Sequence, residues 1–149
     1  MEDRMVELRE ITADNFEEVI NLKVSKNQES FVSSVAYSLA QAWAYKETAF
    51  PFAIYENEVP VGFVMLGYYK AKNYYTLWKF LIDKHCQNHG YGREALQLAI
   101  KYLIESFGVE EIYTGVALGN EIAKHLYSSI GFVETGVVED NMEEMRYIC

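Results

Sequence analysis

Apolar positions recur along the chain in two rhythms, one of period two and one near 3.6, and the switches between them predict the order β-α-α-β-β-β-α-β-α-β-β. Val6, Leu8 and Ile11 make a short, imperfectly alternating first strand. Thr12 or Asp14 is placed to cap a helix reaching about Leu22, with Glu17 and Glu18 in its first turns, where negative charge suits the helix dipole. Asn27-Gln28-Glu29 breaks the pattern. Ser33 to Lys46 carries Val35, Leu39, Ala42 and Trp43 at helical spacing and predicts a second helix. Phe50 to Glu56 and Val59 to Tyr68 alternate as strands joined by Glu56-Asn57-Glu58, a hairpin signal. Tyr74 to Ile82 is a further strand.

Six polar residues, Lys84 to His89, then lead into Gly90-Tyr91-Gly92. The helix that follows has Leu96, Ala99, Ile100, Leu103 and Phe107 on one face and Gly108 as its stop. Glu111 to Val116 predicts a strand, Asn120 to Ile130 a helix ended by Gly131, Phe132 to Val138 a strand, and Met142 to Ile148 the last strand after Glu139-Asp140-Asn141. The middle strands follow short turns and pair antiparallel, whereas the long helix carries the chain to a strand parallel to its predecessor. The expected fold is α/β (α+β): a mixed, mostly antiparallel sheet of about seven strands with helices on both faces. Such a sheet binds ligands outside the carboxyl ends of its parallel strands.

Composition narrows the class. The 149 residues are 50% apolar and 23% charged, which fits one domain over 1–149 and neither a disordered chain nor a coiled coil. No apolar run has the roughly 20 residues of a membrane-spanning helix, so no membrane partner is expected. The polar start Met1-Glu2-Asp3-Arg4 is unlike a targeting signal. The 2 cysteines, Cys86 and Cys149, form no disulfide framework, and the expected setting is the reducing cytoplasm. The net charge of −9 argues against nucleic acid as a partner. Residues 70–101 nevertheless carry 6 basic against 2 acidic groups, a basic island on an acidic body. That contrast suggests an anion near the island and a cation elsewhere.

The island contains Gln87-Asn88-His89-Gly90-Tyr91-Gly92, between a strand and a helix start. Glycines there admit a ligand close to the backbone, and the first-turn N–H groups and helix dipole favour an anion such as a pyrophosphate. Arg93, in the first turn, is placed for an added phosphate contact. No Lys-Ser or Lys-Thr follows, so a P-loop is excluded. Gly90-x-Gly92-x-x-Ala95 has the letters of a dinucleotide fingerprint. However, the strand ends too far upstream, and Glu110 and Glu111 fall before the next strand, not at its end. His85, Cys86 and His89 lack a supporting carboxylate pattern, and no metal is expected.

This context resembles the GCN5-related N-acetyltransferase (GNAT) superfamily. Gln87-x-x-Gly90-x-Gly92 is similar to the family's pyrophosphate loop, and Asn120-x-x-Ala123-x-x-Leu126-Tyr127-x-x-x-Gly131-Phe132 to its second signature. The resemblance implies acetyl-CoA as co-substrate and direct transfer to an amine. It implies coenzyme contacts at Phe80, Leu81 and Ile82, at Gln87 to Arg93, and at Asn120 and Tyr127. A backbone N–H of the fourth strand would serve as oxyanion donor and Tyr127 as general acid to the leaving thiolate. By its place alone Asn120 reads as an N-cap, a role compatible with coenzyme contact. No general base is fixed by motif; the fourth strand offers Trp78 and Lys79.

Val24 to Phe31 is similar to the acceptor-side segment of bacterial spermine/spermidine acetyltransferases, as is Gly62-Phe63. The resemblance implies a polyamine acceptor, with Glu29 as an ammonium contact and Gln28 and Tyr45 or Trp43 along the alkyl chain. Glu29 equally reads as a cap of the following helix. Other small amines, a peptide N-terminus, or a non-catalytic acyl-CoA sensor stay open. Tyr68, Tyr69, Tyr74 and Tyr75 mark either a homodimer contact or a sheet face.

Overall fold

The computed structural model describes residues 4–149; the polar start Met1–Asp3 lies outside the described residues. Strands β1 (Val6–Arg9), β2 (Ala49–Glu56), β3 (Val59–Tyr69), β4 (Tyr74–Ile82), β5 (Glu111–Ala117), β6 (Val133–Glu139) and β7 (Met142–Ile148) form one sheet in the order β1-β2-β3-β4-β5-β7-β6. Every neighbouring pair is antiparallel except β4–β5. The expected mixed, mostly antiparallel seven-stranded sheet is the observed one.

Helices α1 (Phe16–Ile20) and α2 (Val35–Ala44) cover one face, and α3 (Tyr91–Phe107) and α4 (Glu121–Ile130) the other. The apolar stripe of α3 buries Ala95, Leu96, Ala99, Ile100 and Leu103 against Leu66, Leu77 and Ile112. Its C-terminus stops at Gly108, whose left-handed φ of 62° a side-chain-bearing residue adopts only with strain. On the opposite face Val19, Val35 and Ala42 pack against Ala53, Phe63, Met65 and Leu81.

Three local expectations are corrected. Neither Thr12 nor Asp14 caps α1: Asn15 precedes the helix, its Oδ1 accepts from the Thr12 N–H, and Thr12 Oγ1 accepts from the Asp14 N–H. The helix stops at Ile20, short of Leu22, where Asn21 Nδ2 donates to the Glu17 carbonyl and competes with the backbone ladder. Glu29 does not cap the second helix; Ser34 does, its Oγ accepting from the Tyr37 N–H at 3.1 Å. Of the four tyrosines read as a homodimer contact or a sheet face, only Tyr69 is exposed: Tyr68 packs on Tyr75 and Tyr74 stacks on Tyr113.

Two irregularities of β4 shape the centre of the sheet. Its register with β3 passes from Met65↔Lys79 to Leu66↔Leu77, so Trp78 is an extra, bulged residue. With β5 it pairs only through Thr76↔Tyr113 and Leu77↔Thr114. Beyond Leu77 the two parallel strands separate, and the β5-facing edge of residues 78–82 lacks a partner strand among the described residues. Thr114 Oγ1 donates to the Leu77 carbonyl at 2.9 Å across the fork.

Candidate active site

The fork, the loop leading into α3 and the second half of α4 converge. At the end of β4 the carboxylate of Asp83, 9% exposed, accepts from the N–H groups of Lys23 (2.8 Å) and His85 (3.1 Å) and faces His85 Nδ1 at 3.1 Å. Burial pushes this carboxyl up, but the hydrogen bonds outweigh it and hold the group below its usual range. Asp83 thereby ties the α3 entry loop to the chain leaving α1.

Within that loop Asn88 and Gly90 both have left-handed backbone, with φ of 66° and 80°. Such residues turn successive N–H groups toward one concavity, an anion-binding geometry. Gly90 occupies the N-cap of α3 and offers no side chain, so the N–H groups opening this helix carry no side-chain cap. Gly92 serves a different need: a Cβ there would lie 3.2 Å from Phe80 and 3.3 Å from Leu126, so its absence lets α3 approach β4 and α4.

Gln87 spans two segments. Its Nε2 donates to the Ile82 carbonyl at 3.0 Å and to Gln28 Oε1 at 2.9 Å. His89 stacks on Tyr91. Arg93 turns to the end of α4, donating to Ser129 Oγ and to the Ser129 carbonyl. The guanidinium beside the glycines is instead that of Arg4, 4.4 Å from the Tyr91 ring centroid and paired with Glu94 at 3.3 Å. Sequence reasoning missed Arg4, which lies 86 positions from Gly90 and carries no local signal.

Asn120 caps α4 through its Oδ1, which accepts from the Ala123 N–H. Two turns later Tyr127 is 6% exposed, packed between Phe80 and Phe132, with its hydroxyl beside that of Thr114 at the fork. Burial drives this phenol well above its ordinary pKa, against a smaller opposing pull from Thr114. Phe80 and Ile82 face the α3 side and Leu81 the α1–α2 side. Burial also raises the Cys86 thiol, which keeps it protonated and a poor nucleophile at neutral pH. Among the described residues no three His, Cys, Asp or Glu side chains gather as metal ligands would.

On the acceptor side, Gln28 joins Gln87, and Glu29 ends the short 3₁₀ turn Lys26–Gln28. Trp43 is 76% exposed, with Lys46 Nζ over its ring. Tyr45 is also exposed, at 59%, and lies edge-on to Trp78. Both Tyr45 and Trp78 line a cavity of about 720 Å³ between the end of α2 and the β6–β7 hairpin, and its floor reaches Leu77 and Thr114. Lys79, on the same side of β4, donates to Ser33 Oγ at 2.8 Å and is held below the usual ammonium pKa by burial.

Known proteins resemble this chain over nearly its whole length. The family model described as "Acetyltransferase (GNAT) family" matches residues 6–132. A spermine/spermidine N(1)-acetyltransferase of Bacillus subtilis (strain 168) is 30% identical over 148 residues, covering 94% of this chain and 95% of the relative. Among solved structures, spermidine N-acetyltransferase from Vibrio cholerae in complex with CoA and spermine superposes with a TM-score of 0.74 at 21% identity, over 95% of this chain and 92% of that one. A domain from Methanocaldococcus jannaschii superposes with a TM-score of 0.79 at 18% identity, over 99% and 100%. A forked parallel pair beside a helix entry with bare amides is thus found in a chain that belongs to the acetyltransferase (GNAT) family and is an acetyl-CoA-dependent N-acetyltransferase.

Proposed function

We propose that the protein moves the acetyl group of acetyl-CoA directly to a primary amine of a polyamine such as spermidine or spermine. The observation that carries the chemical part is the β4–β5 fork, with the hydroxyl of Tyr127 beside Thr114 at its apex and the bare amides of residues 88–92 at its open end. The amides of this loop and of Gly90, Tyr91 and Gly92 hold the diphosphate of the coenzyme, with Gln87 fixing the loop and Arg4 adding positive charge where Asn88 and His89 supply none. Arg93, turned to Ser129, braces α3 against α4.

The unpaired edge of Phe80, Leu81 and Ile82 receives the acyl arm, and a backbone N–H there donates to the oxyanion that develops on the acetyl carbonyl. A dry, preorganised donor of this kind contributes about 3 kcal/mol. Tyr127 holds the proton for the departing thiolate. A phenol weaker than usual is a poor acid in free solution, so its effect comes from position: the proton passes as the carbon–sulfur bond breaks. Asn120 sets the start of the helix that carries Tyr127. Gln28 and Glu29 border the amine's entrance, and of Tyr45 and Trp43 it is Tyr45, which lines the cavity, that runs along the alkyl chain.

The polyamine assignment is supported by the acidic body and by relatives at about 30% identity that are named spermine or spermine/spermidine N(1)-acetyltransferases. The test is acetyl-CoA consumption with a panel of amines, the products identified by mass, on wild type and Tyr127→Phe. Monoacetylated spermidine or spermine as the dominant product is expected. Product on amino acids or peptides alone overturns the polyamine assignment, and coenzyme binding without turnover on any amine overturns transfer.

A further inference from the structure

The cavity between α2 and the β6–β7 hairpin contains an ammonium of the protein's own. Lys72, in the turn between β3 and β4, places Nζ 3.0 Å from Glu139 Oε2 and 3.5 Å from Glu144 Oε2. Tyr74, whose hydroxyl donates to Glu144 at 3.4 Å, stands beside it. All four residues line the cavity. On the opposite wall Gln41 keeps its carbonyl oxygen Oε1 buried with no donor among the described residues. A buried acceptor without a donor is costly, and its natural complement is an N–H-rich ligand. Between these polar ends the lining is aromatic, with Tyr45, Tyr69, Tyr74 and Trp78, surfaces that favour alkyl chains and cations.

The cavity is also aligned with the reaction. Its floor runs along β4 from Tyr74 to Trp78, about 13 Å at the rise of a strand, and ends at Leu77 and Thr114, where the fork opens. The same cavity is lined by the fork residues Leu77 and Thr114 and by Glu139 and Glu144, so an extended polyamine with one nitrogen at the fork has a further nitrogen to offer these carboxylates. A monoamine with its nitrogen at the fork has none.

We infer that Lys72 is a built-in competitor for the acceptor: its ammonium sits in the seat between Glu139 and Glu144 that the distal ammonium of a polyamine takes, so that Lys72 sets the selectivity for polyamines over monoamines. The inference rests on the polyamine reading above. A polyamine displaces a half-exposed ion pair, whose loss costs little, and its bound chain brings an N–H donor within reach of Gln41. No bond is made or broken; the exchange is of one ammonium for another.

The experiment measures kcat/KM for spermidine and for a monoamine of similar width, butylamine, on wild type, Lys72→Met, Lys72→Arg and Glu144→Gln. The expected result is a spermidine-to-butylamine ratio raised about fivefold in Lys72→Met, from a lower KM for spermidine, as removal of a weak ion pair allows. Lys72→Arg, which keeps a cation in the seat, holds the ratio at the wild-type value, and Glu144→Gln lowers it. A change that merely loosened the turn moves both substrates together and leaves the ratio fixed. A ratio unmoved or lowered in Lys72→Met overturns the inference while leaving the polyamine reading standing. A wild type that acetylates no polyamine overturns that reading and the inference with it.

Discussion

Gln87 and Gln28 stand 59 positions apart in the chain and share a 2.9 Å hydrogen bond, Gln87 Nε2 donating to Gln28 Oε1. The first belongs to the loop entering α3 and the second to the segment between α1 and α2. The other Nε2 proton of Gln87 goes to the Ile82 carbonyl, so one side-chain amide joins the loop entering α3, the end of β4 and the segment between α1 and α2.

If the α3 entry loop holds the coenzyme as proposed, breaking that link from the far side reaches the coenzyme. Gln28→Ala, although off the loop, is expected to raise the KM for acetyl-CoA. In a double-mutant cycle on stability, Gln28→Ala and Gln87→Ala are expected to couple by about 1 kcal/mol. Strict additivity in denaturant titrations, with an unchanged acetyl-CoA KM for Gln28→Ala, shows the two segments to be independent.

Gly90→Val adds a β-branched side chain where φ is 80°, a conformation costing a residue with a Cβ about 1–2 kcal/mol. The new Cβ also lies 3.4 Å from the Arg4 guanidinium. Both effects disturb the N–H groups that open α3. Calorimetric titration with coenzyme A is expected to show affinity lost by at least tenfold, with a modest drop in Tm. Wild-type affinity places the diphosphate elsewhere.

Tyr127→Phe removes one hydroxyl beside Thr114 and leaves the ring packed between Phe80 and Phe132. The stability cost is about 1 kcal/mol, that of one ordinary hydrogen bond. The effect on kcat is expected to be about a hundredfold or more, the scale of a positioned proton donor, with a much smaller change in the KM for acetyl-CoA. Because burial raises this phenol, it stays protonated through pH 10, and any basic limb of the wild-type rate profile below that pH belongs to another group. A kcat near that of wild type removes Tyr127 from proton transfer.

The order of elements was legible because periodicity and turn residues are local properties of the chain, and Gly108, Gly131 and Asn120 mark helix ends that the structure keeps. The α1 cap was misjudged because Thr12, Asp14 and Asn15 are all competent and the choice among them depends on the Asn15 contact with Tyr55, 40 positions away. The fork was not legible in the pattern of either strand, since the separation of β4 from β5 leaves no mark in its alternation. The cavity lining was not legible at all. It is assembled from the end of α2, two hairpin ends and the fork, and Lys72, Glu139 and Glu144 read singly as ordinary solvated charges.

Lys79 shows what a cation on β4 costs. Its ammonium has only Ser33 Oγ as hydrogen-bond partner, and no carboxylate lies within ion-pair distance among the described residues. Burial lowers its folded pKa below the ordinary 10.5. With the folded value the lower one, the folded state binds the proton less tightly than the unfolded chain does. The resulting penalty is complete below the folded pKa and disappears as pH rises through it toward 10.5. Lys79→Met keeps the packing length and removes the charge, so its Tm is expected to exceed that of wild type at pH 7 by a few degrees. The difference should shrink as pH rises through the folded value and close only above about pH 10.5, where wild-type Lys79 becomes neutral in both states. Thermal melts of the two proteins from pH 7 to 11 measure this directly. A Tm difference constant with pH assigns the effect to packing alone, and a lower Tm for Lys79→Met at pH 7 means that the Ser33 contact outweighs the cost of burying the charge.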